Sequence, residues 1–274
     1  MINQYTVIGQ PIAHSLSPVV HQIFGELTQR MLNYTRTEAT PDGFVQVVKD
    51  FQVSGAKGCN VTAPFKELAV SVCDRLAPLA LRAGSVNTIH MHRDGSRIGH
   101  NTDGLGLVVD IRANKRRELE SSRILLLGAG GAARGVLAPL LATKPAELHI
   151  ANRTAAKAET LASLFSDLGS ITCGGYDDLN ADKAYDVIIN ATTPAANGGM
   201  PKLPEGLVGA STLVYDMTYA TSDTAFMKWG ESLGGLASNG LGMLVEQAAE
   251  SYLIWEGVRP KTRLVYPRLH EMLS

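Results

Sequence analysis

The chain has 274 residues, with 25 Lys and Arg against 26 Asp and Glu, for a formal net charge of −1. That length suits one large domain or two modest ones, and the balanced charge, with Lys115-Arg116-Arg117 as its only basic run, makes no case for nucleic acid. No apolar run is long enough for a bilayer, Met1 to Tyr5 lack a signal-peptide pattern, and the three cysteines, Cys59, Cys73 and Cys173, lack Cys-x-x-Cys spacing and read as reduced thiols of a cytoplasmic protein.

Tyr5 to Gly9 reads as a first strand. Pro11-Ile12-Ala13-His14-Ser15-Leu16-Ser17-Pro18 follows, with Ser17 placed as N-cap and Pro18 at the first helical position. The same geometry would let the Ser15 and Ser17 hydroxyls face an anion such as a carboxylate at the helix N-terminus. Tyr34 to Glu38 is a second strand, Gly43 to Phe51 a helix by its apolar spacing, and Gly58 to Thr62 a short strand ended by Pro64. Lys66 is predicted just inside the next helix, where a cation opposes the dipole unless it has a partner or a task; the plain alternative is a surface lysine. Ala83 to Ile89 is a small-residue turn entering a strand, and His90 to Ile98 a hairpin around Asp94-Gly95. His90 and His92 alternate along it with no further ligand cluster, so a metal is not expected. Asn101-Thr102-Asp103-Gly104 opens an apolar helix, with Asp103 a good N-cap, and Asn114 to Ser122 looks like the end of that connecting helix.

Arg123 to Arg134 organises the rest. Ile124-Leu125-Leu126-Leu127 runs into Gly128-Ala129-Gly130-Gly131-Ala132-Ala133 and a helical stretch, the strand, glycine turn and helix of a dinucleotide-binding βαβ unit. Gly128 permits the turn, Gly130 a close approach to pyrophosphate, and Ala133 close helix packing; the helix N-terminus suits phosphate. Leu148 to Ala151 is the second strand. An NAD site usually places a carboxylate after it, whereas this chain has Asn152-Arg153-Thr154 and Lys157. With Thr154 as cap, two cations and no acid favour the 2′-phosphate of NADP. Thr154 to Leu168 is a helix by pattern. Tyr185 to Asn190 and Leu213 to Met217 are buried strands, so Asn190 to Thr193 and Met217 to Tyr219 are placed to line a ligand. Asn197-Gly198-Gly199 and Gly234-Gly235 read as loops. Asn239-Gly240-Leu241-Gly242-Met243 opens the last long helix, with Leu244, Ala248, Tyr252 and Trp255 as its apolar stripe and Gln247 beside it.

Taken together, these segments resemble the shikimate dehydrogenase family over essentially the whole chain. The marks are Ser15-Leu16-Ser17-Pro18 with His21, Asn60-Val61-Thr62-Ala63-Pro64-Phe65-Lys66, Gly84-Ser85-Val86-Asn87-Thr88 and Asn101-Thr102-Asp103-Gly104, then the glycine turn, Asn152-Arg153-Thr154 and Gly240-Leu241-Gly242-Met243. Ala63 and Ser85 depart from the commoner family residues, and neither is assigned a role. The resemblance implies a two-domain α/β fold: an N-terminal α/β substrate domain, residues 1–103 with 240–274, and a doubly wound Rossmann-type NADP domain, residues 104–239. It implies that Ser15 and Ser17 hold the substrate carboxylate and that Asn60, Thr62, Asn87, Asp103, Tyr219 and Gln247 contact the substrate. Lys66 and Asp103 would form the catalytic pair, with Lys66 also touching substrate. NADP would lie on Gly128, Ala129, Gly130, Gly131, Ala132, Asn152, Arg153, Thr154, Lys157, Ala191, Thr192, Met217, Gly240 and Met243. The implied activity is reversible NADPH-dependent reduction of 3-dehydroshikimate to shikimate on the route to chorismate and aromatic amino acids.

The implied partner is this small molecule, with no nucleic acid, membrane or metal; a homodimer is among the expected assemblies, and a cleft that closes over the ligands goes with the two domains. Two other readings stay open. A quinate/shikimate dehydrogenase using NAD or both cofactors would want an acid near Arg153, and a non-catalytic sensor would lose Lys66 or Asp103.

Overall fold

The computed structural model describes residues 2–192, 200–219 and 222–273. Thr193 and the Asn197-Gly198-Gly199 loop lie outside the described residues. The chain divides into two compact units, Met1–Gly106 with Leu244–Ser274, and Leu107–Met243. The elements in order are β1 (Asn3–Gly9), α1 (Ser17–Thr28), β2 (Leu32–Glu38), α2 (Phe44–Val53), β3 (Gly58–Val61), a 3-10 turn (Leu68–Val72), β4 (Arg75–Leu76), α3 (Pro78–Ala83), β5 (Thr88–Met91), β6 (Arg97–His100) and α4 (Asp103–Val109). A π-helical turn (Asp110–Asn114) follows, then β7 (Arg123–Leu127), α5 (Gly131–Ala142), β8 (Glu147–Ala151), α6 (Ala155–Leu164), β9 (Ile171–Gly174), β10 (Val187–Asn190) and β11 (Leu213–Asp216). After these come α7 (Ala225–Ser232), β12 (Leu236–Ser238), α8 (Leu241–Glu256) and α9 (Val265–Leu273).

The sheet of the first unit runs β2-β1-β3-β5-β6-β4. β1 is parallel to β2 and β3, while β5 is antiparallel to both β3 and β6. The C-terminal ends of β1, β3 and β6 and the N-terminal end of β5 therefore share one edge, which gathers Gly9, Thr62, Asn87 and Asn101. One face of this sheet buries Ile8, Phe44, Val48, Cys59, Val61, Phe65 and Ile89. Another cluster joins Tyr5, Val7, Ile12, Tyr34 and Trp255, with Tyr5 stacked on Trp255 at 4.6 Å between ring centroids. Gly58 is required there, because a Cβ would lie 2.3 Å from the Trp255 indole nitrogen; that nitrogen donates to the Ile89 carbonyl at 3.1 Å.

The second unit holds a six-stranded sheet in the order β12-β11-β10-β7-β8-β9, parallel throughout. Numbered within the unit, this is the 3-2-1-4-5-6 order of dinucleotide-binding sheets, with the reversal of strand order between β7 and β10. The apolar run of the first strand follows from its position: Ile124, Leu125, Leu126 and Leu127 are fully buried, as a central parallel strand covered on both faces demands. Each contributes roughly 1.5–3 kcal/mol of transfer free energy.

Several sequence expectations change. Ser17 is the first residue of α1 rather than its cap, and the cap residue Leu16 makes no side-chain bond to the helix. Lys66 sits in the turn after β3, ahead of the 3-10 turn, not inside a helix. Asp103 is the first residue of α4, and its own N–H is met by the Asn101 side-chain oxygen at 3.1 Å, so Asn101 is the residue that serves the helix start. The connecting helix stops at Asn114, because Asn114 turns its amide back onto the Asp110 carboxylate at 2.7 Å and Arg116 takes a left-handed φ of 53°, which ends helical propagation. α6 ends at Leu164, short of Leu168. Thr154 does stand at its N-cap in extended conformation, without a side-chain cap bond.

Candidate active site

In the first unit the site is built on the sheet edge. Lys66 Nζ lies 2.6 Å from Asp103 Oδ2, with 22% of the lysine side chain and 5% of the aspartate side chain exposed. A carboxylate so buried needs partners. The other oxygen, Oδ1, accepts from the Asn87 amide at 2.9 Å. Asn87 is the hub: its amide nitrogen also lies 2.8 Å from Thr102 Oγ1 and 3.2 Å from Gln247 Oε1, so two hydrogens are shared among three acceptors, while its oxygen accepts from the Thr102 N–H at 2.9 Å. The result is an ammonium held at a fixed place by an aspartate that is itself held from behind.

Gln247 reaches this cluster because α4 and α8 touch at a glycine. A Cβ on Gly106 would lie 2.6 Å from Gln247 N. Thr62 enters at the end of β3 beside Gly9, where a Cβ would lie 2.4 Å from its Cγ2. Ser15 and Ser17 are buried at 8% and 6% exposure; Ser15 Oγ accepts the Ser17 N–H at 3.3 Å and Arg36 Nε donates to the Ser15 carbonyl at 2.8 Å. Asn60, expected to touch substrate, has protein partners for its amide. Its two amide hydrogens are shared among Asn87 O, Thr88 Oγ1 and Ser251 Oγ at 3.0–3.1 Å, and its oxygen accepts from Tyr34 OH at 2.7 Å. Ser251 and Tyr34 were not foreseen. Ser251 lies four residues after Gln247 on α8, so the i,i+4 rule was the available signal.

His21 is fully buried and stacked on Tyr34 with centroids 4.2 Å apart. Burial pulls its imidazole down to about 3, with Asn60 opposing, so it stays neutral. Burial pushes the Cys59 thiol up and that of Cys73 up to about 12, so neither offers a thiolate. Among the described residues no group of three or more His, Cys, Asp or Glu side chains could hold a metal ion.

In the second unit, Gly128 has a left-handed φ of 109°, and a Cβ there would lie 3.1 Å from the Ala191 carbonyl oxygen. Gly130 is the N-cap of α5, with no side-chain cap and no acid in the first turn, and a Cβ there would meet nothing within 4 Å. The turn thus leaves open space at Gly130 in front of the N-terminus of α5, a setting of the kind that suits phosphate. Arg153 and Lys157 are exposed at the start of α6, which has no acid in its first turn. Asn152 donates to the Thr154 carbonyl at 2.9 Å, shaping that loop. At the exit of β10, Asn190 Oδ1 accepts the Thr192 N–H and hydroxyl at 3.1 and 2.6 Å, which fixes Ala191 and Thr192. Gly240 packs on Met217, whose carbonyl oxygen would be 2.2 Å from a Cβ, and Met243 is buried at 6% exposure. Tyr219 follows β11, partly buried.

A doubly wound dinucleotide sheet in one unit and an anchored lysine–aspartate pair in the other define a nicotinamide-dependent oxidoreductase acting on a CH–OH group. Family models match the chain in three stretches: the shikimate dehydrogenase substrate-binding domain over residues 7–89, shikimate/quinate 5-dehydrogenase over 110–197, and the shikimate 5′-dehydrogenase C-terminal domain over 240–269. The chain is 48% identical over 274 residues to the shikimate dehydrogenase (NADP(+)) of Aeromonas salmonicida, covering 100% of this chain and 99% of that one. Among solved structures it is similar to an Ael1 enzyme from Pseudomonas putida, 39% identical with a TM-score of 0.90, covering 97% of this chain and 98% of that one. It is also similar to the Thermus thermophilus shikimate 5-dehydrogenase solved with NADP(H) and shikimate, 29% identical with a TM-score of 0.84 and 96% of each chain covered. The chain belongs to the shikimate dehydrogenase family.

Proposed function

We propose that the chain catalyses reversible NADPH-dependent reduction of 3-dehydroshikimate to shikimate. The observation that carries this is the Lys66–Asp103 contact of 2.6 Å with Asp103 clasped by Asn87. The first unit is assigned to substrate and the second to NADP. Ser15 and Ser17 hold the substrate carboxylate; Thr62, Asn87, Asp103, Gln247 and Tyr219 contact the substrate. Asn60 supports Asn87 rather than reaching the ligand. The glycine turn takes the pyrophosphate, Arg153, Thr154 and Lys157 the 2′-phosphate, and Ala191, Thr192, Met217, Gly240 and Met243 the nicotinamide half.

The bound cofactor supplies the hydride. As the keto carbon becomes a carbinol, negative charge gathers on its oxygen, where Lys66 Nζ stabilises the charge and delivers a proton. The C=O π bond breaks, a C–H and an O–H bond form, and Lys66 is left neutral. With 22% of its side chain exposed, Lys66 regains its proton from solvent. Asp103 holds the ammonium at the reacting oxygen and binds the neighbouring hydroxyl. In reverse, neutral Lys66 takes the substrate hydroxyl proton.

A cytoplasmic location and assembly as a homodimer belong to the same proposal. The free state of Cys59, Cys73 and Cys173 supports a reducing compartment, and light scattering in solution tests the assembly. The catalytic reading is tested by initial rates of reduced-cofactor formation from shikimate or quinate with NADP or NAD. Turnover of shikimate with NADP at least tenfold above every other pair is expected. A preference for quinate or NAD moves the chain to the rival dehydrogenase, whose name the central family model shares. Ligand binding with no turnover moves it to a sensor.

A further inference from the structure

Asp110 is fully buried and has no part in the chemistry above. Its carboxylate accepts from Tyr215 OH at 2.6 Å and from the Asn114 amide at 2.7 Å. It also abuts the first turn of α8: a Cβ on Gly242 would lie 1.9 Å from Asp110 Oδ1 and 2.2 Å from its Cγ. A carboxylate so placed faces the positive end of that helix, which offsets part of its desolvation.

Two of the three groups that Asp110 meets, Tyr215 and Gly242, lead to the assigned cofactor surface. Tyr215 lies on β11, two residues before Met217. Gly242 belongs to the Asn239–Met243 turn, whose Gly240 rests on the Met217 carbonyl and donates its N–H to the Thr218 carbonyl at 3.1 Å. Strand and turn thus meet twice, once at Met217 and Gly240 and once through Asp110. β11 stands on the side of the strand-order reversal away from β8 and β9, the nicotinamide half of a sheet of this order.

We propose that Asp110 is a positioning residue for the nicotinamide end of NADP: by bonding Tyr215 and abutting Gly242, it sets the exit of β11 against the Gly240–Met243 turn. The inference rests on the NADP reading of that surface. Asp110 touches no ligand itself, and its effect passes through Met217, Gly240 and Met243.

The test uses the full chain and two variants, Asp110→Asn and the milder Tyr215→Phe, with NADP binding followed by titration calorimetry, KM for both substrates, and thermal unfolding. Asp110→Asn is expected to weaken NADP about tenfold or more, in line with the cost of a misplaced contact surface, with Tyr215→Phe moving the same way by less. KM for shikimate should stay within twofold in both, measured well below the onset of unfolding. NADP affinity within twofold of wild type in folded Asp110→Asn overturns the inference, as does an equal loss for shikimate. Should Asp110→Asn not fold, the same outcomes read on Tyr215→Phe decide. A wild-type chain that does not bind NADP overturns the cofactor reading instead, so the two failures are distinct.

Discussion

Replacing Lys66 separates the proton donor from the charge it carries. Lys66→Ala removes the group that meets the developing oxyanion, and general acid catalysis alone is worth about 10²–10⁴-fold in rate. Turnover should fall by at least about 10²-fold while KM for shikimate changes only a few-fold, because Asn87, Asp103 and the serines remain. The same substitution strands Asp103, whose side chain is 5% exposed. Loss of a buried ion partner costs about 3–5 kcal/mol, but Asn87 still donates to Asp103 at 2.9 Å and the lysine is partly in solvent. A cost of about 1–3 kcal/mol is therefore expected, a fall of roughly 2–10 °C in the thermal midpoint. Lys66→Arg sharpens the test: a guanidinium keeps the ion pair and the stability but does not give up its proton, so the rate should not recover. Steady-state rates and calorimetry on the three chains check both halves. Turnover within tenfold of wild type in Lys66→Ala, or full rescue by Arg, would falsify the proton-donor role.

Arg153→Ala removes charge-assisted bonds worth about 1.5–3 kcal/mol, so KM for NADP should rise roughly 10–150-fold with little change for NAD; equal losses defeat the 2′-phosphate assignment. Gly106→Ala places a Cβ 2.6 Å from Gln247 N; it should cost about 1–3 kcal/mol of stability and raise KM for shikimate, and an unaltered KM removes Gln247 from the substrate set. His21, held neutral by burial down to about 3 against an ordinary value of 6.5, makes stability depend on acid. Below pH 6.5 the unfolded chain binds a proton there that the folded chain does not, so stability falls as pH falls from 6.5 toward 3. Between pH 6.5 and 5 the loss from this one group is on the order of 1–2 kcal/mol. His21→Phe should flatten denaturation midpoints over that interval by about this amount, whatever it does to absolute stability, and an unchanged slope would show that His21 is not buried neutral.

The dinucleotide unit was legible because its signals are local. Ile124 to Leu127 followed by the glycine turn encodes a buried parallel strand, its turn and a helix start in one stretch, and Asn152-Arg153-Thr154 lies at the next strand exit. β9 was missed because Ile171 to Gly174 is short, polar on one face and at the sheet edge. α7 and α9 carry amphipathic patterns interrupted by Gly230 and Pro267, which weakens the periodic signal. Within the site, the identities of Lys66 and Asp103 were readable but their settings were not. Lys66 lies in a turn, and Asp103 is anchored by Asn87, sixteen residues away in sequence. No periodicity encodes Gly106 meeting Gln247, or Asn60 reaching Ser251 across 191 residues. Those are products of packing two helices and a sheet edge together.

The most direct test of the central claim follows the hydrogen itself. NADPH carrying deuterium at one or the other face of C4 is mixed with 3-dehydroshikimate and the enzyme, and the shikimate formed is weighed by mass spectrometry. A gain of one deuterium, located at C3, from one labelled face only is the predicted result. Shikimate formed without label from either face, or no shikimate at all from folded chain that binds both ligands, contradicts direct hydride transfer and with it the function assigned to Lys66 and Asp103.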